Sequence, residues 1–445
     1  MIAFSALSFI AISLALFNRY PIVLADTGAY IATGFTGEAL KERPSIYGAF
    51  VAHSGLKSTL WLPVFFQGLI ASYLIYRLIQ LFNPKKALFL TFVSVSILTF
   101  MTGFSSFCSQ IMPDVFVAFS FLSLSVILFL ENFQKKDKII FSLIFLFSIL
   151  VHTSHIAIVI GVMIFFSIFY FFFKKRLEIK ILPQNFILAW LLTLLSILLV
   201  PVVQWLCVGK FNYSGSSGFI IARMAENGIL EKYLAENCNS ENNYALCKYK
   251  DQLSQNVTIF IWDPGSPFSL LGGFDNKSDE YGKIFRETLV RPEYLWLHIK
   301  ESLKGTFQQL FYHKIGDGIH IYHEGSSPAS NIRAFIPQEY KSYLGGDETA
   351  GKLNFDEVNI RQSWIMTFSY IVFILFLVKY DSKNLTDRKL LSACVLLIAF
   401  LIINAAVCAT FSSIFFRYQA RIIWLLPLMG LIIVFMKLYR PAYNE

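Results

Sequence analysis

Two carboxylates and four arginines carry the first chemical signal in this chain. Asp26 follows the apolar stretch Pro21 to Ala25, with Tyr30 one helical turn later and Arg43-Pro44 closing a small polar segment. A carboxylate placed there can act as a general base or hold a divalent cation. Asp followed by small residues is equally a good helix N-cap. Asp114 opens an apolar run in Met112-Pro113-Asp114-Val115-Phe116, where the helix macrodipole alone favours an acid by roughly 0.3 to 1 kcal/mol. Arg43, Arg223, Arg417 and Arg421 are the cations able to face an anion, because a planar guanidinium donates to two phosphate oxygens at once. Arg417 and Arg421 stand four residues apart in FFRYQARIIWLLP, on one helical face. A lone arginine there would read as a snorkelling anchor. His152 and His155 flank Thr153-Ser154; two histidines at i, i+3 can ligate a metal, hydrogen-bond a phosphate, or cap their helices. In YHKIGDGIHIYHEG, His313, Asp317, His320 and His323 have ligand types at irregular spacing, and His320 is taken as a substrate-contact candidate.

The elements that must position these groups follow from composition. Of 445 residues, 56% are hydrophobic and 15% charged, against roughly 25% charged in an ordinary soluble domain. Mean hydropathy is +0.57, which over so long a chain requires many apolar runs of about 20 residues, the length that crosses a hydrocarbon layer of roughly 30 Å. The expected fold is an all-α polytopic membrane protein. The formal charge of +9 comes from lysines collected between apolar runs, so it is read as topology and not as nucleic-acid binding.

About ten spans are expected, near 1–17, 59–82, 87–107, 115–130, 139–151, 156–173, 185–208, 364–378, 390–411 and 422–436. The first has almost no charged leader and no cleavage site, and is read as a retained anchor. The basic clusters Lys85-Lys86, Lys135-Lys136, Lys174-Lys175-Arg176 and Arg388-Lys389 fall on one side of this count, with Lys437 and Arg440. By the positive-inside rule that side is the cytoplasm and holds both termini. The chain then divides into an N-terminal membrane module (1–208, with a first exterior loop at 18–58), a large and mainly helical exterior segment (209–361) and a C-terminal membrane module (362–445). Cys238 and Cys247, in an exterior stretch, are the one plausible disulfide. No span centre carries Asp, Glu, Lys or Arg, which argues against a proton-coupled carrier. Sequons at Asn212, Asn256 and Asn276 would matter only in a eukaryotic lumen; low charge and Phe/Lys/Asn-rich usage suggest a bacterial inner membrane.

An acid in a long first exterior loop, a second acid opening the fourth span, and a large exterior loop after the seventh resemble the GT-C membrane glycosyltransferases. These use polyprenyl-phosphate sugars and include protein mannosyltransferases and lipid A aminoarabinose transferases. The likeness covers the layout of the first seven spans and rests on the short motifs DTGAY and PDVFVAFSFLSL. It implies that Asp26 is the catalytic base or a metal-site residue (Mg or Mn), Asp114 its partner, and that the transfer is inverting. Many relatives carry two adjacent acids in the first loop, whereas Thr27 follows Asp26 here. The expected partners are a polyprenyl-phosphate sugar donor, a glycan, lipid or protein acceptor, and the bilayer. Arg43, Arg223, Arg417 and Arg421 would bind the donor phosphate, and Tyr30, His152, His155 and His320 the substrate, on the periplasmic side. An exopolysaccharide or O-antigen polymerase shares these features and is the alternative enzyme. A flippase for a lipid-linked glycan is the alternative outside enzymes; it would need a polar path that the spans, apart from Asn404, hardly offer.

Overall fold

The structure, a computed structural model, describes residues 2–38, 43–131, 134–176, 181–208, 211, 216–238 and 244–438. Its described residues form helices, with one isolated bridge in place of a sheet. Among the described residues, six helices are long and apolar enough to cross a membrane. They are α4 (Trp61–Gln80), α8 (Thr153–Phe173), α9 (Pro183–Val208), α14 (Asp356–Val378), α15 (Leu385–Phe411) and the pair α16 (Arg417–Ile423) and α17 (Leu425–Leu438). Three further expected spans are the shorter apolar helices α1 (Ile2–Ala11), α5 (Ala87–Met101) and α6 (Asp114–Phe129), while α7 (Lys135–Leu150) begins inside a basic cluster. The chain is thus a helical membrane protein with six candidate crossings among its described residues.

Helix α6 is the clearest case, since all 16 of its residues are buried. Its serines do not compromise that burial. Ser120, Ser123 and Ser125 donate to the carbonyls of Val117, Phe119 and Phe121 at 2.7, 2.6 and 2.8 Å, so each hydroxyl is satisfied within its own helix. With its start at the site described below and its end near Glu131, α6 is the axis around which α4, α7, α9 and α16 pack.

At the end of the bundle away from the site, ion pairs join the basic clusters. Arg77 makes two 2.9 Å hydrogen bonds to Asp137, Lys389 pairs with Glu131 at 2.6 Å, and Lys437 pairs with Asp387 at 2.9 Å. Arg440 and Asn212 lie outside the described residues.

The segment expected as one exterior unit serves two cores. Helices α10 (Ser216–Glu226), α11 (Ser278–Val290) and α12 (Pro292–Phe311) surround their own cluster, which includes Tyr233, Phe260, Phe268, Tyr281 and Tyr294. Cys238 and Cys247 are disulfide-bonded beside it, with Cα atoms 5.6 Å apart. The later part, with α13 (Ser327–Phe335), joins the main core through Ala329, Ile332, Ile336 and Tyr343. There it packs on α2 (Thr27–Thr36), which in turn packs on α3 (Ile46–Ser54).

Candidate functional site

Two loops are pinned side by side before either carboxylate appears. Ile22 donates its N–H to Ser109 O at 3.0 Å and accepts from Ile111 N–H at 2.9 Å, forming the parallel bridge between Ile22 and Gln110. Asp26 follows Ile22 by four residues, and Asp114 follows Gln110 by four. Gln67, buried in α4, locks the second loop by donating to the carbonyls of Cys108 and Gln110 at 3.0 and 2.9 Å while accepting from Tyr47 at 2.8 Å. The Thr27 hydroxyl ties the loops again, donating to Ile111 O at 3.1 Å and accepting from Leu24 N–H at 2.8 Å.

Asp26 stands at the N-cap of α2 but makes no side-chain cap hydrogen bond. Its carboxylate instead pairs with Arg43 at 2.8 Å, and that guanidinium lies 5.8 Å from the Tyr30 ring centre. Glycines make this possible: a Cβ on Gly48 would sit 2.7 Å from Tyr30 O, and one on Gly34 would fall on the Gly48 carbonyl. Helices α2 and α3 therefore touch backbone to backbone. Tyr30 and Tyr47 meet edge to face at 5.0 Å, and burial pushes the Tyr30 phenol up, so it stays protonated.

Asp114, the first residue of α6, does more than complement the helix dipole. Its carboxylate accepts from Arg421 at 3.1 Å, and the two side chains are 5% and 3% exposed. This arginine is therefore not a snorkelling anchor. Its second nitrogen donates to Asn404 Oδ1 at 3.2 Å, and Asn404 donates in turn to Tyr418 O and Gln419 Oε1 at 2.8 and 2.9 Å. Arg417, one turn earlier, is held differently. Its backbone N–H donates to Asp317 at 3.1 Å, and its side chain lies over the Tyr418 ring at 5.7 Å. Among the described residues no carboxylate makes a salt bridge to its guanidinium, although the charges of Asp114, Asp26 and Asp317 act on it.

His152 caps α8, its Nδ1 accepting from Ser154 N–H at 3.2 Å. That assignment leaves Nε2 carrying the proton as a donor. Burial, then the charges of Arg421, Arg43 and Arg417, push its pKa down to about 3, so the ring is neutral at physiological pH. His155 stacks on His152 at 5.3 Å but turns inward, bonding Ser148 O at 2.7 Å.

These groups converge on one cavity of about 430 Å³. Asp26, Tyr30, Arg43, Asp114, His152, Arg417 and Arg421 line it, opposite an apolar wall of Ile156, Ala157 and Ile160 from α8, Ile197 from α9, and Val407 and Phe411 from α15. Three guanidinium groups face two carboxylates, and the imidazole is neutral, so the cavity attracts an anion. The other expected site residues lie elsewhere. His155 is behind the cavity wall, and His320 lines a different cavity. Arg223 donates to Ala409 O at 2.7 Å and pairs with Glu226, which accepts from Ser413 at 3.0 Å; these contacts clamp α10 onto α15. Among the described residues no group of three or more His, Cys, Asp and Glu side chains is placed to hold a metal.

The supports that sequence reading missed are Gln67, Gln419, Tyr418 and the Ile22–Gln110 bridge. Gln67 and Gln419 carried a signal, each being an amide in or beside an apolar run, where an unpaired polar group is expensive. No family model, no curated protein and no solved structure matches this chain.

Proposed function

We propose that this chain is a membrane glycosyltransferase that moves a sugar from a polyprenyl-phosphate donor to an envelope glycan, lipid or protein acceptor on the periplasmic face. The observation that carries the reading is the Arg417 guanidinium, held by no salt bridge among the described residues, in a cavity that combines cationic groups with apolar residues of span helices. An amphiphile with a phosphate head and an apolar tail matches both halves. The chain would lie in a bacterial inner membrane, with its basic clusters and both termini cytoplasmic.

In this reading Arg417 binds the donor phosphate and Arg43 assists it. Both neutralise charge that grows on the phosphate as the bond to the sugar's anomeric carbon breaks. Asp26 takes the proton from the acceptor hydroxyl as its oxygen attacks that carbon, and polyprenyl phosphate leaves with the bonding electrons. His152, neutral and a donor, is suited to a phosphate or sugar oxygen. Asp114 does not touch substrate but holds Arg421 in place. A divalent cation does not fit this donor set, because each carboxylate is already paired with a guanidinium; no step is routed through one.

The test is turnover of a radiolabelled polyprenyl-phosphate sugar by the purified protein in nanodiscs. Asp26→Asn should lower kcat by at least about 100-fold with little change in donor binding, the scale on which a positioned acid–base group acts. Wild-type turnover by Asp26→Asn would remove Asp26 from the chemistry.

A further inference from the structure

The motif around His313 to His323 takes no part in the first cavity, yet it builds a second. Residues of the 314–321 and 348–359 segments line an open cavity of about 780 Å³, within the range of roughly 300 to 1,000 Å³ typical of small-ligand sites. The loop keeps this shape because Gly316 and Gly318 adopt φ of +102° and +82°, a region that side chains rarely tolerate. Asn359 fixes it further, accepting from Ile315 N–H at 2.7 Å and donating to Ile315 O at 3.1 Å. Phe416 supplies an aromatic surface, stacked on Tyr312 with ring centres 4.3 Å apart.

The polar lining has a sign. Asp317, Glu348 and Asp356 face one lysine, Lys314, whose ammonium lies 5.8 Å over Phe416. Glu348 is the informative member. It is 4% exposed and its Oε2 accepts from Val23 N–H at 3.1 Å, but its Oε1 has no hydrogen-bond partner among the described residues. A buried polar atom left without a protein partner calls for one, and a bound group can supply it. Burial also pushes this carboxyl's pKa well up.

We propose that this second cavity binds a hydroxyl-rich unit without negative charge, a neutral or amine-bearing sugar, held by Glu348, Asp317 and Asp356 against the Phe416 ring. The Asp317-Gly318 and Phe416-Arg417 segments form the wall between the two cavities: Asp317 accepts from Arg417 N–H, and a Cβ on Gly318 would lie 3.4 Å from Arg417 Nη1. The second cavity is thus the acceptor side of the first, a statement that rests on the transferase reading; the binding itself does not.

The experiment is saturation-transfer NMR on the full-length protein in nanodiscs, with glucose, glucosamine and glucuronate as probes. Glucose and glucosamine should receive saturation and glucuronate should not. Asp356 is exposed, so Asp356→Lys should fold normally; it should weaken glucosamine about tenfold and admit glucuronate. Glu348→Gln should retain most binding and Glu348→Leu lose about tenfold, the loss of one hydrogen bond or slightly more. Equal saturation of all three probes, or an Asp356→Lys protein with unchanged preference, overturns the site. Sugar binding that persists in a protein without transferase activity leaves the site standing and removes only the acceptor assignment. Transfer that survives while no probe binds does the reverse.

Discussion

The Asp114–Arg421 pair sets the sharpest energetic test. Both side chains are nearly sealed from solvent, at 5% and 3% exposure. Replacing Asp114 with Ala leaves a guanidinium whose remaining hydrogen bonds go to Asn404 Oδ1 at 3.2 Å and Cys408 Sγ at 3.5 Å, with the Tyr418 ring centre 5.4 Å away. Breaking a buried pair from one side costs about 3 to 5 kcal/mol, whereas exchanging both partners for apolar groups of similar size is often neutral. Asp114→Ala should therefore destabilise by about 4 kcal/mol. Arg421→Met should cost a comparable amount by stranding Asp114. The double variant should lie closer to wild type than either single variant, giving a coupling of about 3 kcal/mol. Reversible unfolding in mixed micelles, followed by tryptophan fluorescence, reads the cycle; Trp424 donates to Arg421 O at 2.9 Å and reports locally. Arg77–Asp137 is the control: at 14% and 18% exposure it is better hydrated and should show a smaller coupling, about 1 kcal/mol. Additive single losses at Asp114 and Arg421, or single losses under about 0.5 kcal/mol, would refute the argument that burial makes this pair mutually dependent.

Arg417→Ala should separate function from stability. No salt bridge holds its guanidinium among the described residues, but Asp114, Asp26 and Asp317 act on its charge, so unfolding should shift by about 1 kcal/mol, well short of the loss at Asp114, while donor turnover falls about 100- to 1,000-fold; a loss of stability as large as that of Asp114→Ala would contradict it. His152 titrates in the unfolded chain near its ordinary pKa of about 6.5 and in the folded chain only near 3. The folded state binds fewer protons between these values, so the stability it contributes is complete above about pH 6.5 and is lost as pH falls toward 3. His152→Gln should flatten that part of the pH–stability profile, and an unchanged slope would show that the imidazole is not held neutral. Gly34→Ala should cost about 1 to 3 kcal/mol through overpacking against the Gly48 carbonyl. It should also lower turnover by displacing α2, which carries Tyr30, as measured by unfolding and transfer assays together.

Much of the site was legible in residue types. Asp26, Arg43, Asp114, Arg417 and Arg421 stood out as acids and forked cations beside apolar runs, and the structure brings all of them to one cavity. Their division of labour was not legible. Arg417 and Arg421 share one spacing argument and both line the cavity, yet only Arg421 is locked there by a salt bridge to Asp114. That difference depends on Asn404, 13 residues before Arg417 in sequence and on another helix. Arg223 met the same criterion and is committed to joining two helices. The metal-like spacing of His152 and His155 likewise gives no hint that one ring lines the cavity while the other bonds Ser148 O.

The sequence by itself determined that this is a helical membrane chain, because transfer of so much apolar surface from water depends on composition and needs no knowledge of contacts. It also determined which residues could carry charge chemistry. Only the tertiary structure decided that α6 is buried along its whole length at the centre of the bundle. Only the structure decided that Asp26 and Asp114, 88 residues apart, sit four residues beyond the same bridge. Convergence of that kind is set by long-range hydrogen bonds and helix contacts, and no local pattern in the chain encodes it.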